Sequence, residues 1–201
     1  MRLAVVILFL APIGGAGAQS SAVTERAALR ADSRFDATFR RYSKRYFGAG
    51  FDWSLFKAQA MAESELNSDA RSWVGARGLM QLMPSTFLEI QTKRPEFTSI
   101  DDPEWNIAAG IMHDRYLWRL WEHDVPAEQR APFMFGSYNA GEGTISRAAA
   151  TAQASQLDAT LWPNIEQVAP AVPHWRYRET IGYVRKIDGN VARLRGSKPR
   201  G

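Results

Sequence analysis

Ile181, Val184, Ile187, Val191 and Leu194 recur at intervals of three or four residues, the spacing that lines side chains along one face of an α-helix. The same period returns elsewhere in the chain. Phe35, Phe39, Tyr42 and Tyr46 repeat it, while Arg34, Arg40, Arg41, Lys44 and Arg45 fall elsewhere around the turn. Thr24 to Phe47 therefore reads as an amphipathic helix with a basic, solvated face. No run alternates well enough for a half-buried strand, and no repeat of about 20–50 residues is visible. The expected fold class is all-α.

Start and stop signals divide the rest into further helices. Asp52 is placed to cap a helix from Trp53 to about Asn67. Pro84 suits the first position of a helix reaching about Thr92, and Asp102-Pro103-Glu104 opens another from Trp105 to Trp121 that is apolar around most of its surface. Ala131 to Ala140 forms a further short helix with Gly141 as its stop, and Thr144 to Ala152 one more.

With 201 residues there is room for one domain and too little for two. A hydrophobic share of 45% allows a full core, which matters because the chain has no cysteine and so no disulfide to support it. Residues 1–18 read as a secretory signal peptide: Arg2, an apolar run through Ala11, then small residues ending at Ala18. That run is too short for a permanent membrane span. The mature protein is expected in a periplasm. The formal net charge is +4, and Arg2 is the only charged residue before Gln19, so the exported chain keeps +3. Such a charge suits a cell-wall polymer, a membrane surface or nucleic acid, and does not choose among them. The export signal argues against nucleic acid.

Ala58, Ala60, Met61 and Ala62 make a small, mostly apolar helix surface that ends in Glu63 and Glu65. Two residues apart, these carboxyls point in different directions, so one can face a cleft and the other water. Glu63 lies four after Gln59 and seven after Phe56, continuing the apolar side. Desolvation there would raise its pKa and leave a neutral carboxyl able to donate a proton. Gly75 and Gly78 in the following loop permit tight turns close to a ligand.

Four ordered blocks then carry a resemblance. They are Glu63-Ser64, Ser72 to Thr86 with Gly78-Leu-Met-Gln81 inside it, Ser137-Tyr138-Asn139-Ala-Gly, and Glu179-Thr-Ile-Gly-Tyr183-Val184. Together they resemble the soluble lytic transglycosylase domain of glycoside hydrolase family 23, which has a goose-lysozyme-like fold. The likeness spans roughly Phe51 to Val191. It implies a lysozyme-like catalytic domain with a substrate groove over 51–195, which joins the signal peptide at 1–18, the N-terminal amphipathic helix within 19–50 and a basic tail at 196–201 read from the residues themselves.

The resemblance implies Glu63 as sole acid/base on peptidoglycan glycan strands. Ser72, Gln81, Met83, Tyr138, Asn139, Glu179 and Tyr183 would form the substrate site, with Tyr138 reaching the sugar or orienting Glu63. Ser137 replaces an alanine of the family pattern, and Ile181 replaces an arginine, which removes the ion pair that arginine would make. No cofactor is implied, and His113, His123 and His174 are too scattered to suggest a metal site. Assembly partners from secretion, conjugation or phage-related machinery fit such domains. Simpler readings stand beside these: Met83 as core filler, Tyr138 and Tyr183 as buried aromatics, Ser72 and Asn139 as turn closers, and Trp73 as core rather than sugar platform. A lysozyme-type hydrolase of the same bond and a non-catalytic wall-binding module are the competing functions.

Overall fold

Asp102 begins its helix as the sequence predicts, its carboxylate accepting from the backbone amides of Glu104 and Trp105. These are donors that a helix's first turn otherwise leaves unpaired. The computed structural model describes residues 33–196. The signal peptide, the first part of the N-terminal helix and residues 197–201 lie outside the described residues.

Eight α-helices follow in order among the described residues: α1 (Asp36–Phe47), α2 (Ser54–Ser64), α3 (Pro84–Lys93), α4 (Pro103–Leu120), α5 (Arg130–Ala140), α6 (Glu142–Ala154), α7 (Trp162–Val168) and α8 (Tyr177–Gly196). Short 3-10 turns occur at Ala127–Gln129 and Ala169–Ala171. Instead of strands, two isolated bridges join Arg71 to Arg77 and Arg77 to Leu82. The all-α expectation holds.

Two expectations about elements need correction. The helix expected to reach Asn67 stops at Ser64, because Glu65 and Leu66 both adopt left-handed backbone, with φ of 55° and 61°. Helix α7 was not legible in the sequence. Its three buried side chains, Trp162, Ile165 and Val168, cover too few turns for a periodic signal, although Pro163 in its first turn is a start marker.

Helix α2 runs through the interior, with Phe56, Lys57, Ala58, Gln59, Ala60 and Met61 all buried. Helix α8 packs along it and α5 packs on both α4 and α8. Phe56, Phe133, Phe135, Ile107 and Met134 fill the space between them, each essentially without exposure. Burying such a side chain contributes about 1.5–3 kcal/mol. Helix α1 lies against α4 and adds Phe39 and Tyr42 to the same core. The Lys57 ammonium, buried at the start of α2, is neutralised by Asp36 of α1 at 2.7 Å, the condition on which a buried charge is tolerated.

Candidate active site

The left-handed pair Glu65 and Leu66 stops α2 one residue after Ser64. Ser64 Oγ donates to the Leu79 carbonyl at 2.9 Å, tying the helix end to the loop before α3. Glu63 is thereby held at the base of a cleft, while Glu65 is exposed, as the two-residue spacing predicts.

That loop is organised by one side chain from α4. Asn106 donates to the Arg77 carbonyl at 3.0 Å and the Ile100 carbonyl at 2.9 Å, and its Oδ1 accepts the Met80 amide at 2.8 Å. Gly78 sits at φ 73°, and a β-carbon there would lie 2.5 Å from the Asn106 carboxamide. Gly110 plays the matching part on α4, where a β-carbon would meet Met80 at 2.7 Å. Tyr138 of α5 donates to the Met80 carbonyl at 2.7 Å. Asn106 and Gly110 were not found by sequence reasoning, because nothing nearby in the sequence announces the loop carbonyls that α4 meets.

The cleft is bordered by Glu63 on α2, Gln81, Leu82 and Met83 from the loop, Thr86 on α3, His113 on α4, Tyr138 and Asn139 on α5, and Glu142 on α6. A second hollow opens on the other side of Glu63, between Ala62, Asn67, Asp69, Arg71 and Lys186. Glu63 therefore stands between two concave stretches, the position needed by a group acting in the middle of an extended ligand.

The Tyr183 hydroxyl on α8 donates to Glu63 Oε1 at 2.6 Å. Burial raises the pKa of Glu63 to about 7, and the Tyr183 hydrogen bond and the nearby Lys186 charge partly offset that rise. A carboxyl with this value is present in both forms at neutral pH. It can give a proton and take one back. Burial likewise pushes the Tyr138 and Tyr183 hydroxyls up, so both are neutral donors.

The remaining predicted residues divide. Met83, Asn139, Gln81 and Tyr138 border the cleft. Gln81 is also structural: its Nε2 donates to the carbonyls of Gly78 and Ala70, and its φ of 44° lets the loop turn there. Ser72 closes a turn, its Oγ accepting the Ala76 amide at 2.9 Å. Tyr138 does not orient Glu63; the hydroxyl on that carboxyl is Tyr183's. Glu179 borders neither hollow and pairs with Arg176, three residues before it, at 2.9 Å. Ser137 gains a partner that alanine lacks, accepting from Trp121 Nε1 at 3.0 Å. Trp73 is 77% exposed, which excludes the core role. Among the described residues no three His, Asp or Glu side chains gather as a metal site.

A family model described as the transglycosylase SLT domain matches residues 40–160. The chain belongs to this family. Membrane-bound lytic murein transglycosylase F of Shewanella pealeana is 31% identical over 161 residues, covering 79% of this chain and 31% of that protein. Its counterpart in Shewanella sediminis is 32% identical over 174 residues, covering 85% and 34%. The chain thus spans about a third of the length of the curated relatives it matches. The 70 kDa soluble lytic transglycosylase from Escherichia coli superimposes with a TM-score of 0.60 and 26% identity, over 90% of this chain and 28% of that one. The 70 kDa soluble lytic transglycosylase in complex with bulgecin A gives 0.63 and 26%, over 88% and 26%. The family match begins at Phe39's neighbour Arg40, within α1, and ends before the Glu179 block on α8.

Proposed function

We propose that this SLT-domain protein is a peptidoglycan lytic transglycosylase, and that Glu63 is its single acid/base. The observation that carries the reading is a carboxyl between two hollows, hydrogen-bonded by Tyr183 and with a pKa of about 7. The relatives named lytic murein transglycosylase support the substrate class.

Glycoside hydrolysis commonly uses two carboxyl groups, one as acid and one as base or nucleophile. Glu142 also borders this cleft, but it lies on the rim at the start of α6, where its Oε1 accepts from Tyr116 at 3.0 Å. The missing second group is supplied by the sugar. Glu63 protonates the oxygen linking N-acetylmuramic acid to N-acetylglucosamine, and that bond breaks. The C6 hydroxyl of the muramoyl residue attacks C1, Glu63 takes its proton, and a 1,6-anhydro ring closes. Intramolecular attack at effective molarities of about 10⁵ M or more outruns water. Gln81, Met83, Tyr138 and Asn139 line the path of the glycan.

Cleavage of an export signal at 1–18 would put the work in the periplasm, and the +3 charge of residues 19–201 suits the anionic wall. No helix among the described residues is long and apolar enough to cross a membrane. Secretion, conjugation or phage-related assemblies, which need gaps in the wall, are the partner class that such an activity would serve.

Mass spectrometry of sacculi digested by the wild-type protein tests the reading. Fragments with 1,6-anhydromuramoyl ends are expected. Reducing muramic acid ends would instead make the protein a hydrolase of the same bond, and no fragments at all would make it a wall-binding module.

A further inference from the structure

Close enough to Glu63 to feel its charge is a second carboxyl that the reaction above does not use. Asp114 on α4 is completely buried, and so is Gln59 on α2, one helical turn before Glu63. Gln59 Nε2 donates to Asp114 Oδ1 at 3.3 Å. The other two polar atoms of the pair, Gln59 Oε1 and Asp114 Oδ2, are buried with no hydrogen-bond partner. If Asp114 is ionised, both are acceptors and neither can satisfy the other. If Asp114 carries a proton, Oδ2 becomes a donor, and the acceptor left over on the side chain already bonded to Asp114 is Gln59 Oε1. One proton then accounts for both orphaned atoms.

We propose that Asp114 is held as a neutral acid, paired reciprocally with the Gln59 carboxamide, and acts as a positioning residue for Glu63. This deepens the assignment of Glu63 as the acid and rests on it. Reciprocal pairing fixes the turn of α2 that carries Glu63 against α4, in a place where an unpaired polar group is costly.

The surrounding groups favour the neutral form. Burial pushes the Asp114 carboxyl well above its ordinary range, the Gln59 hydrogen bond lowers it and the Glu63 charge raises it further. Tyr138 of α5 and Tyr183 of α8 respond to both Glu63 and Asp114, and Lys186 of α8 acts on Glu63. His113 and Arg115 flank Asp114 on its own helix. Glu63, Asp114, Tyr138 and Tyr183 are thus one coupled group of acids, with Asp114 and Tyr183 buried and Glu63 and Tyr138 half-buried where the cleft opens. When Glu63 releases its proton to the leaving oxygen, it becomes the single anion there. A second ionised carboxyl would hold Glu63 too basic to donate, because two coupled carboxyls do not readily ionise together.

The test uses the whole 201-residue chain with three substitutions, Glu63→Gln, Asp114→Asn and Asp114→Leu, the first two also combined. Infrared spectroscopy at neutral pH in the Glu63→Gln background is expected to show the carbonyl stretch of a buried protonated carboxyl, and Asp114→Asn is expected to remove it. Asp114→Leu leaves Gln59 unpartnered and is expected to lower kcat about tenfold or more with KM little changed. Asp114→Asn, which copies the neutral acid, is expected to recover most of that loss and to keep the wild-type midpoint of the kcat/KM profile. Absence of the infrared band overturns the proposal. So does an Asp114→Asn midpoint lowered by about one pH unit, which would reveal an ionised Asp114, or an Asp114→Leu rate equal to that of Asp114→Asn. If Asp114→Leu fails to fold, the infrared and Asp114→Asn arms still decide. Activity retained by Glu63→Gln would instead overturn the assignment of Glu63 and leave the infrared result standing.

Discussion

Tyr183 and Glu63 lie 120 residues apart in sequence and 2.6 Å apart in space, phenol to carboxylate. The bond stabilises the ionised form of a group that burial otherwise keeps protonated. Tyr183 therefore sets how readily Glu63 lets go of its proton.

Tyr183→Phe removes that donor, so the Glu63 pKa rises above about 7. The first step needs protonated Glu63, so wild-type kcat/KM should fall as pH passes upward through about 7. In Tyr183→Phe the midpoint of that fall should move up by about one pH unit, as expected for a hydrogen bond to a charged group. A pH–rate series on soluble glycan fragments reads it. An unmoved midpoint would remove Tyr183 from the acid's environment.

Glu63→Gln should lower the release of anhydro fragments by about 10²–10⁴-fold, the range of general acid–base catalysis. The circular dichroism spectrum should be unchanged, since the carboxamide fits the same space.

The same substitution should stabilise the fold at neutral and higher pH. The folded-state pKa of Glu63 is raised from 4.5 to about 7, so the folded protein binds this proton more tightly than the unfolded chain. Its full contribution is present below about pH 4.5 and is lost as pH rises to about 7. The two proteins should unfold alike near pH 4, and above pH 7 Glu63→Gln should be more stable by on the order of 3 kcal/mol. Thermal melts across that interval measure it.

Much of this site was legible from Glu63 and its context. An acid at the end of a small-residue helix surface, followed by a glycine-bearing loop, fits a dry carboxyl or an ordinary surface glutamate, and it was the resemblance of the four blocks that chose the dry one. What failed to show were relations made only by tertiary contact. Asn106 looks like an ordinary polar residue near a helix start, and its partners are backbone groups, which carry no residue-specific signal. Asp114 sits among Ile111, Met112 and Leu117 with nothing nearby to say that it faces Gln59. Glu179 was assigned to the ligand by its match to the late family block, while its partner Arg176 lies outside that block. Periodicity reports which side of a helix is buried, not what it meets there.

Gly78→Ala should destabilise the protein by about 2 kcal/mol or more, because alanine pays both for the positive φ and for the collision with Asn106. Chemical denaturation measures the loss. Gly75→Ala, at φ 91° but with open space around it, should cost less, since only the backbone term remains.

Trp73→Ala should leave the unfolding midpoint nearly unchanged, since the indole is 77% exposed. If it serves as a sugar platform, KM for long glycan strands should rise while short fragments are cleaved as before. Binding of long strands that is indifferent to this change would confine Trp73 to the surface.

Two neighbouring carbonyls of one loop, Leu79 and Met80, are each gripped by a hydroxyl from a different helix, Ser64 and Tyr138. The wall of the groove is thereby riveted to the element that holds the acid and to the element facing it. A change in either helix is therefore passed straight to the same two peptide units, so the shape of the groove wall depends on α2 and α5 together.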